Sequence, residues 1–290
     1  MKFVVVLLAV SLCTSTTLKC SFHDDFVWRK YGCEVKELTN DKHNSRITSV
    51  QGQHSELLSN VDVKCLRIEN IRSIEFFTND FFIKFPNIQN LLIQEASLKL
   101  LLRGDFAVAD NLENIHITHT ELMDLEDYVF HGTQVLKTLN LRENKIREIA
   151  GDAFKGLMTL KFLTLSFNEI EVLHDNLFKD LQFLEQLSLS TNRIRHIDEH
   201  LFSKNRNLEV VFLDDNHLSA INGNMFRNNL KLREIYMDNN HIKHVSNIPS
   251  FLGNLKALEV AVFSNNTCVD SMILIMNNFY HPYEGFFRRC

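Results

Sequence analysis

Two groups of histidines have the residue types and spacing that metal chemistry needs. The segment HIDEH, His196 to His200, fits the pattern H-x-x-E-H, in which two histidines bind zinc and the glutamate is the base of a hydrolase. That chemistry requires both histidines on one face of a helix. Because Ile197 falls at an apolar position of a repeat described below, we interpret the segment as a turn. A zinc-dependent hydrolase is kept only as a remote alternative.

A second pair, His217 and His241, lies 24 residues apart at equivalent positions of neighbouring repeats. We expect the two rings to stack at the surface, and a metal-binding or pH-sensing role is the alternative. The chain has no phosphate-binding glycine loop and no nucleophile elbow. The sequence therefore predicts a protein with no catalytic residues, no metal and no cofactor.

The first 17 residues have the pattern of a secretory signal peptide. Lys2 supplies the positive charge, Phe3 to Leu12 form an apolar run of ten residues, and small or polar residues follow. Ten apolar residues are too few to span a bilayer, and no later stretch is long enough. We therefore predict a secreted, extracellular protein. The alternative interpretation of this segment is a first core strand.

The net charge limits the classes of possible partner, and the cysteine content indicates the cellular compartment. The chain has 31 Lys and Arg against 36 Asp and Glu, a net charge of −5, which argues against nucleic acid or an anionic membrane as the main partner. Six cysteines suit an oxidising compartment. Removal of Cys13 with the leader leaves an odd number, so one cysteine is left over after pairing.

Asparagines return every 24 residues, at Asn144, Asn168, Asn192, Asn216 and Asn240. A step of 26 reaches Asn266, and backward steps of 24, 24 and 25 reach Thr120, Ala96 and Ile71. A phenylalanine stands ten residues after most of these landmarks: Phe81, Phe106, Phe130, Phe154, Phe178, Phe202 and Phe226, with Phe251 displaced by one. A fixed period of this length predicts a solenoid of stacked units, here about nine turns.

Each unit is predicted to contain one short strand. Leu139 and Leu141 alternate with polar residues, so both leucines should face a core that is shared with the neighbouring units. The asparagine follows where the strand bends away, and its amide can satisfy backbone groups that no strand partner reaches. We predict a ladder of buried asparagines: Asn144, Asn168, Asn192, Asn216, Asn240 and Asn266.

The pattern L-x-x-L-x-L-x-x-N-x-(L/I), followed by F-x-x-L-x-x-L, resembles the extracellular leucine-rich repeat family in its 24-residue subtype. Residues 136–160, LKTLNLRENKIREIAGDAFKGLMTL, match almost every position, and the resemblance covers about residues 61–266. It implies an α/β repeat solenoid, a leucine-rich repeat horseshoe whose parallel strands line the concave face. Ile71 and Ala96 lack the amide and Thr120 replaces it only in part, so we expect the coils before residue 120 to be less regular.

The resemblance also implies a lid at each end of the repeats. Residues 18–60 are expected to form an N-terminal cap, in which Cys20 pairs with Cys33 to close a hairpin. Residues 267–290 are expected to form a C-terminal cap, closed by a link between Cys268 and Cys290. Helical spacing within this cap predicts a short amphipathic helix through Val269, Met272, Ile273, Met276 and Phe279.

Two further residues are candidates for covalent linkage or modification. Cys65 falls at an outward position of the first repeat strand. The alternatives for it are a partly shielded thiol, a disulfide to a partner molecule, and rearranged pairing with the N-terminal cysteines. Asn265, in the sequence NNT, begins the single standard glycosylation sequon, and the cysteine that follows it could hinder occupancy.

Strand alternation predicts which side chains point out of the concave face. Aromatic residues stand beside acidic ones at two places on that face, and such combinations typify protein interfaces. We predict that the partner binds these residues: Phe162, Phe167, Phe212, Asp214, Asp215, Tyr236 and Asp238. The alternative is that they are ordinary exposed residues with no binding role.

These observations favour a secreted, non-enzymatic recognition protein that binds a protein or another macromolecule on its concave face. Among family members the chain most resembles short secreted invertebrate proteins, many of which are linked to innate immunity or cell adhesion, and we expect a similar role. The alternative is a structural protein of the extracellular matrix that self-associates. We expect no nucleic-acid partner and no membrane span.

Overall fold

The structure is a computed structural model that describes residues 15–24, 28–39, 46–55, 57–72, 74, 77–247, 253–268 and 272–274. Residues 1–14 lie outside these ranges, so the signal peptide over residues 1–17 stays a prediction. The first strand begins at Ser15. Across the described ranges, no helix has both the length and the apolar character needed to cross a membrane.

The N-terminal region is a disulfide-closed hairpin beside a third strand. Strand β1 (Ser15–Asp24) pairs antiparallel with β2 (Tyr31–Thr39), and β3 (Arg46–Gln51) pairs parallel with β1. Cys20 and Cys33 form a disulfide across the hairpin, which confirms the predicted pairing. This disulfide excludes a link between Cys33 and Cys65.

The remaining elements repeat along the chain. They are β4 Cys65–Glu69, α1 Asp80–Lys84, β5 Asn90–Gln94, β6 Asn114–Thr118, β7 Asp124–Leu125, β8 Thr138–Asn140, β9 Glu148–Ile149, β10 Phe162–Thr164, β11 Gln186–Ser188, β12 Val210–Phe212, β13 Ala220–Asn222, β14 Glu234–Tyr236, β15 His244–Ser246, β16 Val260–Val262 and β17 Met272–Leu274. Short 3-10 helices cover Asn60–Asp62 and Gly223–Phe226.

One large sheet runs the length of the solenoid. Its order is β17-β16-β14-β12-β11-β10-β8-β6-β5-β4-β2-β1-β3, and each coil from β4 to β16 contributes one parallel strand. The short pairs β7–β9 and β13–β15 lie outside this sheet, on the returning side of the coils. The predicted repeat solenoid with a parallel sheet is therefore confirmed, with about eight turns of chain joining nine parallel strands in the described part.

The core repeats with the sequence. The central residue of each short strand is buried, as at Leu139, Leu163 and Leu187. Phenylalanines of successive coils stack behind the sheet, with ring centroids 5.6 Å apart for Phe106–Phe130 and 6.1–6.2 Å apart for the next three pairs. The column is thus continuous through Phe226, while Phe251 lies outside the described residues.

The asparagine ladder forms as predicted. The Asn168 amide nitrogen donates to the backbone oxygens of Leu141 and Leu165, both at 2.9 Å, and its oxygen accepts from the nitrogen of Ile146 at 3.0 Å. Asn192, Asn216, Asn240 and Asn266 repeat this arrangement, and all are buried. Each side chain therefore joins its own coil to the preceding one.

The residue before each ladder asparagine takes the left-handed conformation. Glu143, Phe167, Thr191, Asp215, Asn239 and Asn265 have φ between 53° and 58°. None is glycine, so the conformation carries a steric cost that the surrounding structure must offset. The ladder bonds on either side hold this bend, which explains how the chain turns at each coil with few glycines.

Thr120 replaces one rung in part, as expected. Its backbone nitrogen and its hydroxyl both donate to the Asn144 side-chain oxygen, and its hydroxyl accepts from the nitrogen of Leu122 at 3.4 Å. In the coils before it, Ala96 is buried and Ile71 packs against the core. The strands there also differ, because β4, β5 and β6 span five residues whereas β8 and the later repeat strands span three.

The C-terminal helix prediction is wrong where the structure describes it. Residues Met272–Leu274 form β17, antiparallel to β16. An edge strand presents unpaired backbone groups, and β17 satisfies those of β16. Cys268 is disulfide-bonded, but Cys290 lies outside the described residues, so the link between them stays a prediction.

Candidate partner-binding site on the sheet

Two aromatic rings form a stack on the outward face of neighbouring strands. Phe212 closes β12 and Tyr236 closes β14, and the two residues are direct partners in the parallel register. Their ring centroids are 4.8 Å apart and the ring planes differ by 13°. The preceding residues, Val211 and Ile235, are buried, so strand alternation turns both rings away from the core. The predicted aromatic pair is therefore brought together.

Three carboxylates lie beside this stack, two or three residues further along the same coils. Asp214 accepts a hydrogen bond from the Ser190 hydroxyl at 2.7 Å, and Asp238 accepts one from the Asn239 amide at 3.2 Å. Asp215 is exposed. Within the described part of the chain, no Lys or Arg forms an ion pair with any of the three. The stack and its carboxylates are called the acidic aromatic patch below.

The electrostatics of the acidic aromatic patch reflect this lack of a cation. Burial raises the pKa of Asp238, and the nearby charges of Asp214 and Asp215 raise it further. Burial also raises the pKa of Tyr236, helped by the hydrogen bond that its hydroxyl donates to Glu234 at 3.0 Å. The smaller, charge-based part of each pKa shift comes from neighbouring carboxylates, and a bound cation would offset that part.

Small hydroxyl side chains lie next to the acidic aromatic patch. On the side of Phe212 away from Tyr236, its register partner is Ser188, whose own partner is Thr164. The hydroxyls of Ser166 and Ser188 contact each other. Serine is too short to cover a phenylalanine ring in the next strand, which lies about 4.8 Å away. Tyr236 therefore stacks on one side of the Phe212 ring, and a short hydroxyl side chain is its register partner on the other.

The other predicted aromatics, Phe162 and Phe167, lie two strands from Phe212. Each is 41% exposed. The guanidinium carbon of Arg142 lies 4.1 Å from the centroid of the Phe167 ring, and Arg142 Nε donates to Glu143 at 2.7 Å. The prediction missed this cation, although Arg142 and Phe167 both read as outward residues of adjacent coils. Phe167 thus contacts the chain's own arginine, whereas no Lys or Arg of the described residues lies over the Phe212 ring.

The N-terminal end of the concave face is covered. Trp28, at the tip of the first hairpin, makes an edge contact with His116 of β6 at 5.7 Å between ring centroids. Lys30 donates to Gln89 at 2.8 Å, and burial lowers the pKa of His116. The open part of the sheet therefore begins only after β6. Sequence reasoning gave no indication of this cover, because Trp28 is distant in sequence from the strand it meets.

This cover corrects the prediction for Cys65. The side chain points to the predicted face, but its exposed fraction is 0%. Gly32 packs directly against it, since a Cβ atom at Gly32 would lie 3.0 Å from that of Cys65, and the Asn90 amide donates to Cys65 Sγ at 3.4 Å. A disulfide to a partner molecule through Cys65 is therefore excluded in this conformation, and so is pairing with Cys20 or Cys33.

The structure does not support a zinc site at residues 196–200, but it does show the predicted stacking of His217 and His241. Residues 196–200 form no helix, and Ile197 is buried between two exposed histidines. The Glu199 carboxylate accepts from the Asn222 amide at 2.7 Å, so it serves as a link to the next coil. His217 and His241 do stack as predicted, with centroids 5.6 Å apart and planes 6° apart.

Family models and solved structures agree with this geometry. The model described as Leucine rich repeat matches residues 110–170 and 159–218, and a second leucine-rich repeat model matches residues 231–255. No curated protein matches the chain.

Three solved structures contain chains that are similar in fold. A chain of the Drosophila Toll–Spatzle complex is 22% identical, with a TM-score of 0.66 over 76% of this chain and 30% of that one. A chain of the TLR13–ssRNA13 complex is 21% identical, with a TM-score of 0.65 over 77% and 32%. A chain of the complex of Latrophilin 3, Unc5D and FLRT2 is 20% identical, with a TM-score of 0.63 over 79% and 75%. This chain thus spans about a third of the first two, and such identities show the fold alone.

Proposed function

We propose that this chain, a leucine-rich repeat solenoid in its described part, is a secreted, non-enzymatic recognition protein that binds an extracellular macromolecule on its open concave sheet. The observation that carries the proposal is the acidic aromatic patch. The stacked ring pair is flanked by three carboxylates that form no ion pair with a Lys or Arg of the described residues. This is the composition of an interface centre, where aromatic anchors contribute most of the binding energy. Phe162 and Phe167 extend the proposed site towards the N-terminal coils.

The proposed partner is a protein with basic and apolar groups. Three neighbouring carboxylates repel phosphate, which disfavours nucleic acid although one structural neighbour was solved with single-stranded RNA. The Toll–Spatzle and FLRT2 complexes support recognition of proteins, and the former supports innate immunity as a process. We also propose membership of the 24-residue subtype and of its short secreted invertebrate members. The constant asparagine spacing supports the subtype.

A glycan on Asn265 is part of this proposal. Asn265 and Thr267 of the sequon are exposed, whereas Asn266 between them is buried in the ladder. The Asn265 amide donates to Asn239 at 2.7 Å, and Asn239 donates to Asp238. A glycan there would border the acidic aromatic patch on its C-terminal side. A mass shift on treatment with a peptide N-glycosidase, absent from Thr267→Ala, would support it, and an unmodified secreted wild type would contradict it.

Self-association is the second candidate function, and one observation favours it. Met158 and Phe183 lie just before β10 and β11 in successive coils, and each is 56% exposed. An apolar pair of this kind outside the concave face could join two copies of the chain. A matrix protein would use such a contact rather than the acidic aromatic patch.

Capture from extracellular fluid tests the two candidates together. The tagged wild type is compared with the double variant Phe212→Ala/Tyr236→Ala and with Met158→Ala/Phe183→Ala, which removes two exposed apolar side chains elsewhere. Concave recognition predicts a captured protein that is lost with the first variant and kept with the second. Recovery of the chain alone, abolished only by Met158→Ala/Phe183→Ala, supports self-association. A captured protein that both variants retain contradicts the proposal.

A further inference from the structure

We infer that the acidic aromatic patch binds an arginine side chain of the partner, an inference that rests on the proposed concave recognition. The chain itself contains an example of such an arrangement that is built on arginine. On the same face of the sheet, the Arg142 guanidinium lies over the Phe167 ring while its Nε donates to the Glu143 carboxylate. Ring, guanidinium and carboxylate stabilise one another there, because the cation meets the ring face and the carboxylate together.

The acidic aromatic patch has two of these three parts. Tyr236 occupies one face of the Phe212 ring, and the opposite face looks towards Ser188. Asp214 and Asp215 follow on the same coil as Phe212, and Asp238 follows on the coil of Tyr236. The missing part is a cation, since no Lys or Arg of the described ranges pairs with these carboxylates. The partner must therefore supply it.

The geometry favours a guanidinium over an ammonium group. The Phe212 ring has a short serine as its register partner on the side away from Tyr236, and stacking on an aromatic face is a property of arginine. The Ser190 hydroxyl holds Asp214 Oδ1 at 2.7 Å and so fixes the carboxylate beside the ring. A fixed carboxylate suits the forked donors of arginine, whereas a lysine ammonium gains less from either feature.

Charge separates arginine from other polar ligands. A neutral sugar could stack on the ring, but it would leave three neighbouring carboxylates uncompensated. A phosphate group would be repelled by them. An arginine neutralises part of this charge and also covers the apolar ring, so it fits both features of the acidic aromatic patch better than a sugar or a phosphate.

Two labelled peptides of equal charge test the inference directly. Fluorescence anisotropy would measure binding of a nona-arginine peptide and of a nona-lysine peptide to the wild type at low salt. We expect the arginine peptide to bind about two- to fivefold more tightly, as cation–π stacking at a partly exposed site predicts. Phe212→Leu should weaken arginine binding by about two- to fivefold and abolish the preference over lysine, because it removes the ring but keeps an apolar side chain.

Two charge variants complete the design. Asp214→Asn should weaken both peptides, whereas Asp124→Asn should change neither by more than about twofold, because Asp124 is an exposed carboxylate of β7 outside the concave sheet. Unchanged thermal unfolding would show that each variant is folded.

The inference is overturned if the wild type binds both peptides equally, if it binds neither, or if Phe212→Leu keeps the preference for arginine. These results would leave concave recognition itself standing, because the capture experiment decides that point separately. Conversely, if the variant Phe212→Ala/Tyr236→Ala still captures the partner, the proposed function is contradicted even if the arginine peptide binds the wild type.

Discussion

The coils of β4–β6 and those from β8 onwards differ in the residues at the bend, in the length of the strands and in the exposure of the sheet. The later coils carry a ladder asparagine at each bend, three-residue strands and an open concave face. The earlier coils lack the asparagine, have five-residue strands and are covered by the hairpin that carries Trp28. The repeat is thus most regular where the sheet is open, and the hairpin protects the region where it is irregular.

Polar groups at the covered end are satisfied by a different network. Asn114 donates to Asn90 at 2.8 Å, and Asn90, with an exposed fraction of 0%, donates to Cys65. These side chains sit at the starts of strands, whereas the ladder asparagines sit after their ends. The comparison suggests that the cap stabilises the first coils in place of the ladder, and the following variants test that division.

The largest expected effect is loss of the N-terminal disulfide. Cys20→Ala/Cys33→Ala removes a link that closes a loop over a sequence separation of 13, and loops of this size contribute about 3 kcal/mol. The hairpin should then leave the concave face before the later coils unfold. Fluorescence of Trp28, the single tryptophan, should therefore change at a lower denaturant concentration than far-ultraviolet circular dichroism. Coincident transitions at the wild-type midpoint would mean that the cap is not needed there.

Removing one rung of the ladder should have the next largest effect. Asn168→Ala leaves the buried amide of Ile146 without its side-chain acceptor and removes one of the two asparagine donors to each of the carbonyls of Leu141 and Leu165. This change should lower the free energy of unfolding by about 2 kcal/mol. Gln182→Ala, which removes an exposed amide side chain, is the matched control and should cost under about 0.5 kcal/mol. Equal losses in denaturant unfolding would contradict the role of the ladder.

Asp105, in the irregular region, should destabilise the fold at neutral pH. Burial raises its pKa to about 6, while the amide of Leu102 donates to it at 2.7 Å. Protonation therefore favours the folded state: the stabilisation is full below the unfolded pKa of about 3.8 and is lost as the pH rises through about 6. Asp105→Asn should be more stable than the wild type by about 1 kcal/mol at pH 7.5, once the weaker hydrogen bond of an amide is counted.

The pH dependence is the control for this variant. The advantage of Asp105→Asn should fall below pH 6 and be absent below about pH 3.8, where the wild-type carboxyl becomes protonated in both states. Thermal unfolding across this range measures it. A constant difference between the two proteins at all pH values would show that the carboxyl is not responsible.

The smallest expected effect extends the ladder towards the irregular coils. Thr120→Asn places an amide where the hydroxyl now bonds Asn144 and Leu122. The new amide nitrogen should donate to the carbonyl of Ile117, which already accepts a hydrogen bond from Asn144 at 2.7 Å. The carbonyl of Leu141 likewise accepts hydrogen bonds from two asparagines. We expect a gain of about 0.5–1 kcal/mol in the free energy of unfolding. A loss of that size would indicate that the bend at residue 120 differs from the later ones.

The sequence predicted the regular part of this fold because the information there is local and repeated. The positions of Leu163, Asn168 and Phe178 recur at a fixed spacing in the neighbouring coils. An error in register would move the residues at all three positions out of the core together. The stack of Phe212 on Tyr236 followed from the same periodicity. A second pair of buried asparagines, Asn205 and Asn229, was not predicted. The two residues are 24 apart, but a spacing that occurs only once cannot be recognised as a repeat.

The remaining features depend on contacts between distant parts of the chain. The burial of Cys65 requires the hairpin residue Gly32, and the cover of His116 requires Trp28, and neither is encoded by the repeat. At the other end, helical spacing did not predict β17, because the need of β16 for a strand partner outweighed local preference. Partner binding by the acidic aromatic patch is a proposal for the same reason, since the sequence fixes its composition but not its ligand.

Hydroxyl-radical footprinting of the complex with the captured partner tests the central claim most directly. Aromatic side chains are oxidised according to their exposure, so peptide mass spectrometry reports each ring separately. We predict that binding protects Phe212 and Tyr236, while Phe183, an equally oxidisable exposed ring outside the concave face, keeps its free-state rate. Protection of Phe183 with unchanged oxidation of Phe212 and Tyr236 would contradict concave recognition.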